Sequence, residues 1–186
     1  MNRSLRCAIF GQNTICFKWG FDEEDKYCIA MKQELLQKIM ELRQQNVTQF
    51  FTACDHGIGL YAAEQINVLM ETDRDMKLFC TAPHEGQSTK WAPYLRDRYF
   101  KMLENCTHME YVAPFQQSGA QLLAYKRIID LADMILTVFD TELLPTDRVE
   151  DHALFYAMNQ HKPIFNLNPY VPVSYTHLTL PTNSRV

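Results

Sequence analysis

The chain has 186 residues, of which 47% are hydrophobic and 22% charged, and its formal net charge is −4. This composition and length are ordinary for one globular domain. Lysine and arginine form no cluster, which argues against a nucleic-acid partner held through backbone phosphates. No apolar run approaches the roughly 18 residues of a membrane span.

The amino terminus and the cysteines predict a cytoplasmic protein. The apolar stretch that ends at Gly11 is too short for a signal-peptide core. The six cysteines include no Cys-x-x-Cys pair and are expected to be free thiols. The six histidines are scattered along the chain, so no metal site is predicted.

Strand-like and helical patterns alternate along the chain. Strands are predicted at residues 7–10, 47–53, 77–82, 109–113, 134–139 and 163–167. Helices are predicted at residues 25–45, 57–71, 91–104, 119–131 and 149–160. The alternation predicts an α/β fold, a single Rossmann-like, doubly wound parallel sheet with helices on both faces.

The predicted domain spans residues 1–172. Residues 173–186 have no clear helical or strand period and resemble a translated adaptor or vector tail, so they are expected to be non-native. Ligands of doubly wound sheets bind at the carboxyl ends of the strands, where the strand order reverses. The predicted site is therefore built by the loops that begin at Gly11, Cys54, Pro83, Pro114 and Asp140.

The first two strand ends supply glycines and polar side chains. Gly11, which is followed by Gln12, lets a ligand approach the backbone, or else it is an ordinary turn glycine. Gly57 and Gly59 precede a helix whose free N–H groups can hold an anion, the alternative being a plain helix start. Polar contacts there are expected from Thr52 and Asp55.

Later strand ends add further candidates. Pro83 closes the third strand, and Gln87 can hydrogen-bond a base or a ribose. Trp91 can stack on a ring, although its spacing to helical residues favours core packing. Asp140 ends the most apolar strand and Thr146 follows it, so that each either faces the site or caps the loop.

Three stretches together resemble the YpsA-like branch of the SLOG superfamily, over about residues 5–170. They are Cys7-Ala8-Ile9-Phe10-Gly11 with Trp19-Gly20-Phe21-Asp22-Glu23, then Phe51-Thr52 through Gly57 with Tyr61-Ala62-Ala63-Glu64, and Pro83-x3-Gln87-x3-Trp91 with Arg98-Tyr99. The resemblance implies a Rossmann-like domain for a nucleotide or nucleotide-derived ligand such as ADP-ribose. It also implies a relationship to the cytokinin-activating phosphoribohydrolases.

The polar positions at the strand ends depart from the family pattern. The usual Thr-Gly-His-Arg is Phe10-Gly11-Gln12-Asn13, and the Gly-Gly-Thr phosphate loop is Leu144-Pro145-Thr146. Pro145 removes a backbone donor where a phosphate would approach. The sequence therefore predicts a retained scaffold with a diverged site.

Three functions stay open at this point. The first is binding of a nucleotide-type ligand in a regulatory or sensor role. The second is hydrolysis of N-glycosidic bonds, for which the resemblance implies Glu64 as the carboxylate and the strand end offers Asp140 as the alternative. The third is an interaction module whose pocket is filled by Phe10, Tyr125 and Leu144. No cofactor is assigned, and the sequence leaves open whether the chain forms homo-oligomers.

Overall fold

The computed structural model describes residues 3–170 and 176–177, and six strands of this part form one parallel sheet. In chain order they are β1 (Leu5–Gly11), β2 (Val47–Thr52), β3 (Lys77–Ala82), β4 (His108–Tyr111), β5 (Met134–Val138) and β6 (Ile164–Leu167). The order across the sheet is β4-β3-β2-β1-β5-β6. The predicted doubly wound parallel sheet is confirmed.

Five α-helices connect these strands within the described residues. They are α1 (Lys26–Gln44), α2 (Ile58–Thr72), α3 (Pro93–Asn105), α4 (Ala120–Leu131) and α5 (Val149–Asn159). The Asp25 carboxylate caps α1 by accepting a hydrogen bond from the Tyr27 N–H at 2.7 Å. The third helix begins two residues later than predicted because the fixed φ of Pro93 suits the first helical position, and Trp91 lies in the preceding loop.

The helices cover the two faces of the sheet, and the side-chain alternation of the strands decides which face each residue joins. Cys7 and Ile9 of β1 pack with apolar residues of α1, α2 and α3. Ala8 and Phe10, one residue out of phase, pack with α4 and α5 on the other face. This two-residue period is the strand geometry that the apolar runs predict.

The strand order reverses at β1, which lies between β2 and β5. The chain first builds outward from β1 to β4 and then returns through α4 to β5. The crevice of such a sheet opens where this reversal occurs, at the carboxyl ends of the strands.

The carboxyl-terminal tail predicted at residues 173–186 falls outside the described residues except for β7 (Thr176–His177). These two residues pair antiparallel with β6. None of the described helices combines the length and the apolar character needed to cross a membrane.

Candidate functional site

A polar pocket of about 320 Å³ lies at the carboxyl ends of the strands, at the reversal of strand order. We call it the inner pocket. Its walls come from the loops after β1, β2, β3 and β4 and from the first turns of α4 and α5. The carboxyl and carboxamide groups that line it include those of Asn13, Asp55, Gln87, Gln117, Gln121 and Glu150.

The end of β1 is a packed junction that ties β1 to β5. A Cβ placed on Gly11 would lie 2.6 Å from Ile58 Cγ1 and 2.7 Å from the Val138 carbonyl oxygen. The Gln12 N–H donates to the Val138 carbonyl at 3.0 Å, and the Gln12 Oε1 accepts from the Asp140 N–H at 2.8 Å. Gly11 and Gln12 therefore hold the two strands together behind the inner pocket.

The loop after β2 places Asp55 at the start of α2. Gly57 has φ +108°, in a region that side chains disfavour, and its Cβ would meet Thr14 Cγ2 at 2.6 Å. A Cβ on Gly59 would lie only 2.4 Å from Asp55 Oδ1 and 2.9 Å from Thr52 Oγ1. Gly59 thus makes the room in which the Asp55 carboxyl sits above the helix start, while Gly57 makes room for the Thr14 side chain.

The inner pocket is acidic. Burial, followed by the nearby charge of Glu150, raises the pKa of Asp55 to about 7. Burial also raises the pKa of Glu150, whereas it lowers the pKa of His56 and keeps that ring neutral at pH 7. The described residues that line the inner pocket include no lysine and no arginine.

Four buried polar atoms of the inner-pocket lining have no hydrogen-bond partner in the described part of the chain. They are Asp55 Oδ1, His56 Nδ1, Gln121 Nε2 and Tyr125 Oη. The Tyr125 hydroxyl lies near the Asp55 carboxyl and the Gln121 carboxamide but outside hydrogen-bond geometry with either group. Buried polar groups are nearly always paired, so atoms of this kind mark a place for a ligand or bound water.

A second pocket of about 480 Å³ adjoins the inner one and shares His84, Gln87, Trp91 and Gln116 with it. We call it the outer pocket. Its wall is less polar, because Phe115, 79% exposed, and the half-buried Trp91 contribute their rings. The Trp91 ring lies edge-on to His56, with ring centroids 5.3 Å apart, and thus joins the two pockets.

The predicted site residues divide into two groups. Asp55, Pro83 and Gln87 line the inner pocket, while Thr52, Gly57 and Gly59 lie in the β2–α2 junction that positions Asp55. The Thr52 hydroxyl is occupied there, since it donates to the Gly59 carbonyl at 3.3 Å and accepts from the Cys54 N–H at 3.2 Å.

Asp140 and Thr146 lie elsewhere. Asp140 lines a separate pocket with Lys18 and Tyr170, and its carboxylate accepts from the Glu142 N–H at 3.1 Å. Thr146 lies two residues before Arg148, the N-cap of α5, and its hydroxyl donates to Asp151 Oδ2 of that helix at 2.7 Å.

Glu64 belongs to an ion-pair network on the helical face formed by α1, α2 and α3. It accepts two hydrogen bonds from Arg98, both at 2.8 Å, and Arg98 also donates to Glu23 at 2.5 Å. Each of the three family-like stretches of the sequence contributes one of these residues. In this structure the Glu64 carboxylate holds helices together and does not line the inner pocket.

Several inner-pocket residues escaped the sequence-based prediction, among them Asn13, His84, Gln121 and Glu150. Gln121 and Glu150 each lie in the first turn of a helix that follows a strand end, which is the signal that could have revealed them. The third sequence hypothesis placed Phe10, Tyr125 and Leu144 in the cleft. Phe10 and Leu144 instead pack in the core with residues of α4 and α5, whereas Tyr125 lines the inner pocket.

A doubly wound parallel sheet with its pocket at the reversal of strand order defines the class of Rossmann-like α/β domains. The model of the YpsA family, described as the YspA SLOG family, matches residues 10–170, and the chain belongs to this family. The resemblance seen in the sequence is confirmed.

Two relatives of this chain are UPF0398 proteins from bacteria. The protein of Bacillus licheniformis is 26% identical over 129 residues, which cover 66% of this chain and 68% of that protein. The protein of Halalkalibacterium halodurans is 23% identical over 124 residues, which cover 66% of each chain. The second match therefore spans just under two thirds of that relative.

Proposed function

We propose that this protein binds a nucleotide-type ligand in the inner pocket and acts as a regulator or sensor. The observation that carries the proposal is the convergence of four unpartnered buried polar atoms on one pocket at the reversal of strand order. Each such atom costs about 1–3 kcal/mol in the folded state until a partner satisfies it. A ligand that supplies those partners recovers this free energy on binding.

The chemistry of the lining suits the base and sugar of a nucleotide. Carboxyl and carboxamide groups pair with hydroxyls and with the edges of bases, and Trp91 offers a ring for stacking. The volumes of the inner and outer pockets, about 320 and 480 Å³, both lie within the usual range of small-molecule sites, roughly 300–1,000 Å³.

Replacement of Tyr125 by phenylalanine is expected to weaken ligand binding without loss of stability. The change removes only the unpartnered hydroxyl, so the free energy of unfolding without ligand stays equal or rises slightly. Ligand affinity is expected to fall by roughly three- to tenfold, the equivalent of one hydrogen bond. Thermal unfolding of the full chain with a panel of nucleosides, nucleotides and ADP-ribose identifies the ligand, and calorimetry measures the loss.

Tyr94→Phe is the matched control, because Tyr94 is 52% exposed on α3 and lies outside both pockets. It should bind the ligand like the unchanged protein. Absence of any saturable shift across the panel would contradict the proposed function, and an equal loss in both variants would place the ligand elsewhere.

The carboxyl pair of the inner pocket supports hydrolysis of an N-glycosidic bond as a second candidate function. Asp55 and Glu150 line the same pocket, and burial raises the pKa of both. One carboxyl can then donate a proton to the departing base while the other, ionised, stabilises the oxocarbenium-like sugar. Water adds to the anomeric carbon as the carbon–nitrogen bond breaks.

If the protein hydrolyses nucleosides or nucleoside monophosphates, Asp55→Asn and Glu150→Gln should each lower the rate of base release by about 100-fold or more. Glu64→Gln should retain the rate, because Glu64 lies in the ion-pair network. Base release is measured chromatographically. If Glu64→Gln abolished base release and Asp55→Asn retained it, Glu64 would be the catalytic carboxylate.

A further inference from the structure

Two helix starts at the inner pocket, those of α2 and α5, are already supplied with negative charge by the chain itself, whereas the first turn of α4 carries no acid. In α/β domains the free N–H groups of such helix starts commonly bind a ligand phosphate. Here the Asp55 carboxyl sits above the first turn of α2, in the space that Gly59 leaves open. Glu150 occupies the first turn of α5, next to Asp151, which accepts from the Thr146 hydroxyl.

The described lining residues of the inner pocket include two acids and no lysine or arginine. Burial raises the pKa of Glu150, and the charge of Arg148, which precedes Glu150 and does not line the pocket, only partly offsets that rise. A phosphate that entered this pocket would meet two carboxyls, which the dipoles of α2 and α5 already face. Carboxylates accept hydrogen bonds only, so they favour a partner that donates, such as a sugar hydroxyl.

The outer pocket complements this chemistry with aromatic surface. Phe115 is exposed over 79% of its area although the ring is apolar, and Trp91 lies between the two pockets. A planar base gains stacking energy against such rings, whichever of the bases it is.

We infer that the site selects a nucleoside over its 5′-phosphate, with the ribose hydroxyls at Asp55 and Glu150 and the base against Trp91 and Phe115. This inference rests on the proposed function, since it names the ligand class of the same pocket. The carboxyls of Asp55 and Glu150 set the selectivity, because they attract the hydroxyl protons and repel the phosphate.

Calorimetric titration of the full chain at pH 8 with the four ribonucleosides and their 5′-monophosphates tests the inference without any substitution. The preferred nucleoside should bind at least about tenfold more tightly than its monophosphate, as expected for a dianion placed near two carboxylates. Its 2′,3′-dideoxy analogue should bind about tenfold more weakly, because it lacks the 2′- and 3′-hydroxyls.

A variant that lacks both carboxylates provides a second test of the inference. The Asp55→Asn/Glu150→Gln variant should reduce the selectivity for the nucleoside by about tenfold or more. The matched control is Asp97→Asn/Glu104→Gln, which removes two exposed acids of α3 and should leave the selectivity unchanged.

The outcomes separate the two proposals. A monophosphate that binds as tightly as the nucleoside, with its affinity lowered by Tyr125→Phe, overturns the inference and keeps the proposed function. Failure of every nucleoside and nucleotide to bind overturns both.

Discussion

Arg98→Met is expected to lower the free energy of unfolding by about 2 kcal/mol, which corresponds to a fall in Tm of about 4–8 °C for a chain of this size. Arg98 joins Glu64 of α2 to Glu23 of the β1–α1 loop through three short hydrogen bonds. Its loss leaves two half-buried carboxylates without this partner, which costs more than removal of an exposed ion pair.

The electrostatics of the network agree with this expectation. Burial alone would raise the pKa of Glu23, but hydrogen bonds from Arg98 and Lys32 lower it overall. The hydrogen bond to Glu64 is the main cause that raises the pKa of Arg98. The folded state therefore favours the charged forms of Glu23 and Arg98.

Arg96→Met is the control for this prediction, because Arg96 is exposed on the same helix and the substitution is identical. Denaturant unfolding of both variants gives the comparison. A double-mutant cycle of Arg98→Met with Glu64→Gln should show a coupling of about 1 kcal/mol. Equal stability of the Arg98→Met and Arg96→Met proteins would show that the network contributes nothing.

Asp55→Asn is expected to make the protein more stable at pH 8 and to flatten its pH dependence. The pKa of Asp55 is about 7 in the folded protein, against roughly 3.9 in an unfolded chain. The folded state thus binds the proton more tightly. The stabilisation is fully present below about pH 4 and is lost as the pH rises through 7.

Between pH 5 and pH 8 the unchanged protein should lose about 2–3 kcal/mol relative to the asparagine variant. Asparagine has nearly the same shape as aspartate and does not titrate, so this pH-dependent loss of stability is absent from the variant. The other titratable groups around Asp55 are Glu150, His56 and Tyr125, and Glu150→Gln should shift the profile in the same direction. Urea unfolding at several pH values measures the effect.

Asp97→Asn provides the comparison, because Asp97 is exposed on α3. Its profile should follow that of the unchanged protein. A parallel offset of the Asp55→Asn profile at all pH values, instead of a difference that grows with pH, would contradict the raised pKa.

The candidate site was only partly predictable from the sequence. Asp55 and Gln87 lie in the loops that follow β2 and β3, so a local pattern places them at the correct edge of the sheet. Asp140 also follows a strand end, but its side chain joins a different pocket. A strand end identifies the edge of the sheet, whereas the side of the strand on which a loop folds depends on contacts with the neighbouring loops.

The ion-pair network around Glu64 was likewise not predictable from the sequence. The family-like stretches contain Glu23, Glu64 and Arg98, yet their spacing along the chain does not reveal that one arginine binds both acids. Arg98 lies 34 residues from Glu64 and 75 from Glu23. Proximity of this kind arises only when α2 and α3 pack on one face of the sheet.

The sequence by itself determined the alternation of strands and helices, the parallel sheet and the family, because hydrophobic period and short motifs are local properties. Only the tertiary structure decided which residues share the inner pocket. Gln121, Tyr125 and Glu150 reach Asp55 because the chain crosses to the second face after β4. Long-range packing of this kind brings residues far apart in sequence together, and no local pattern records it.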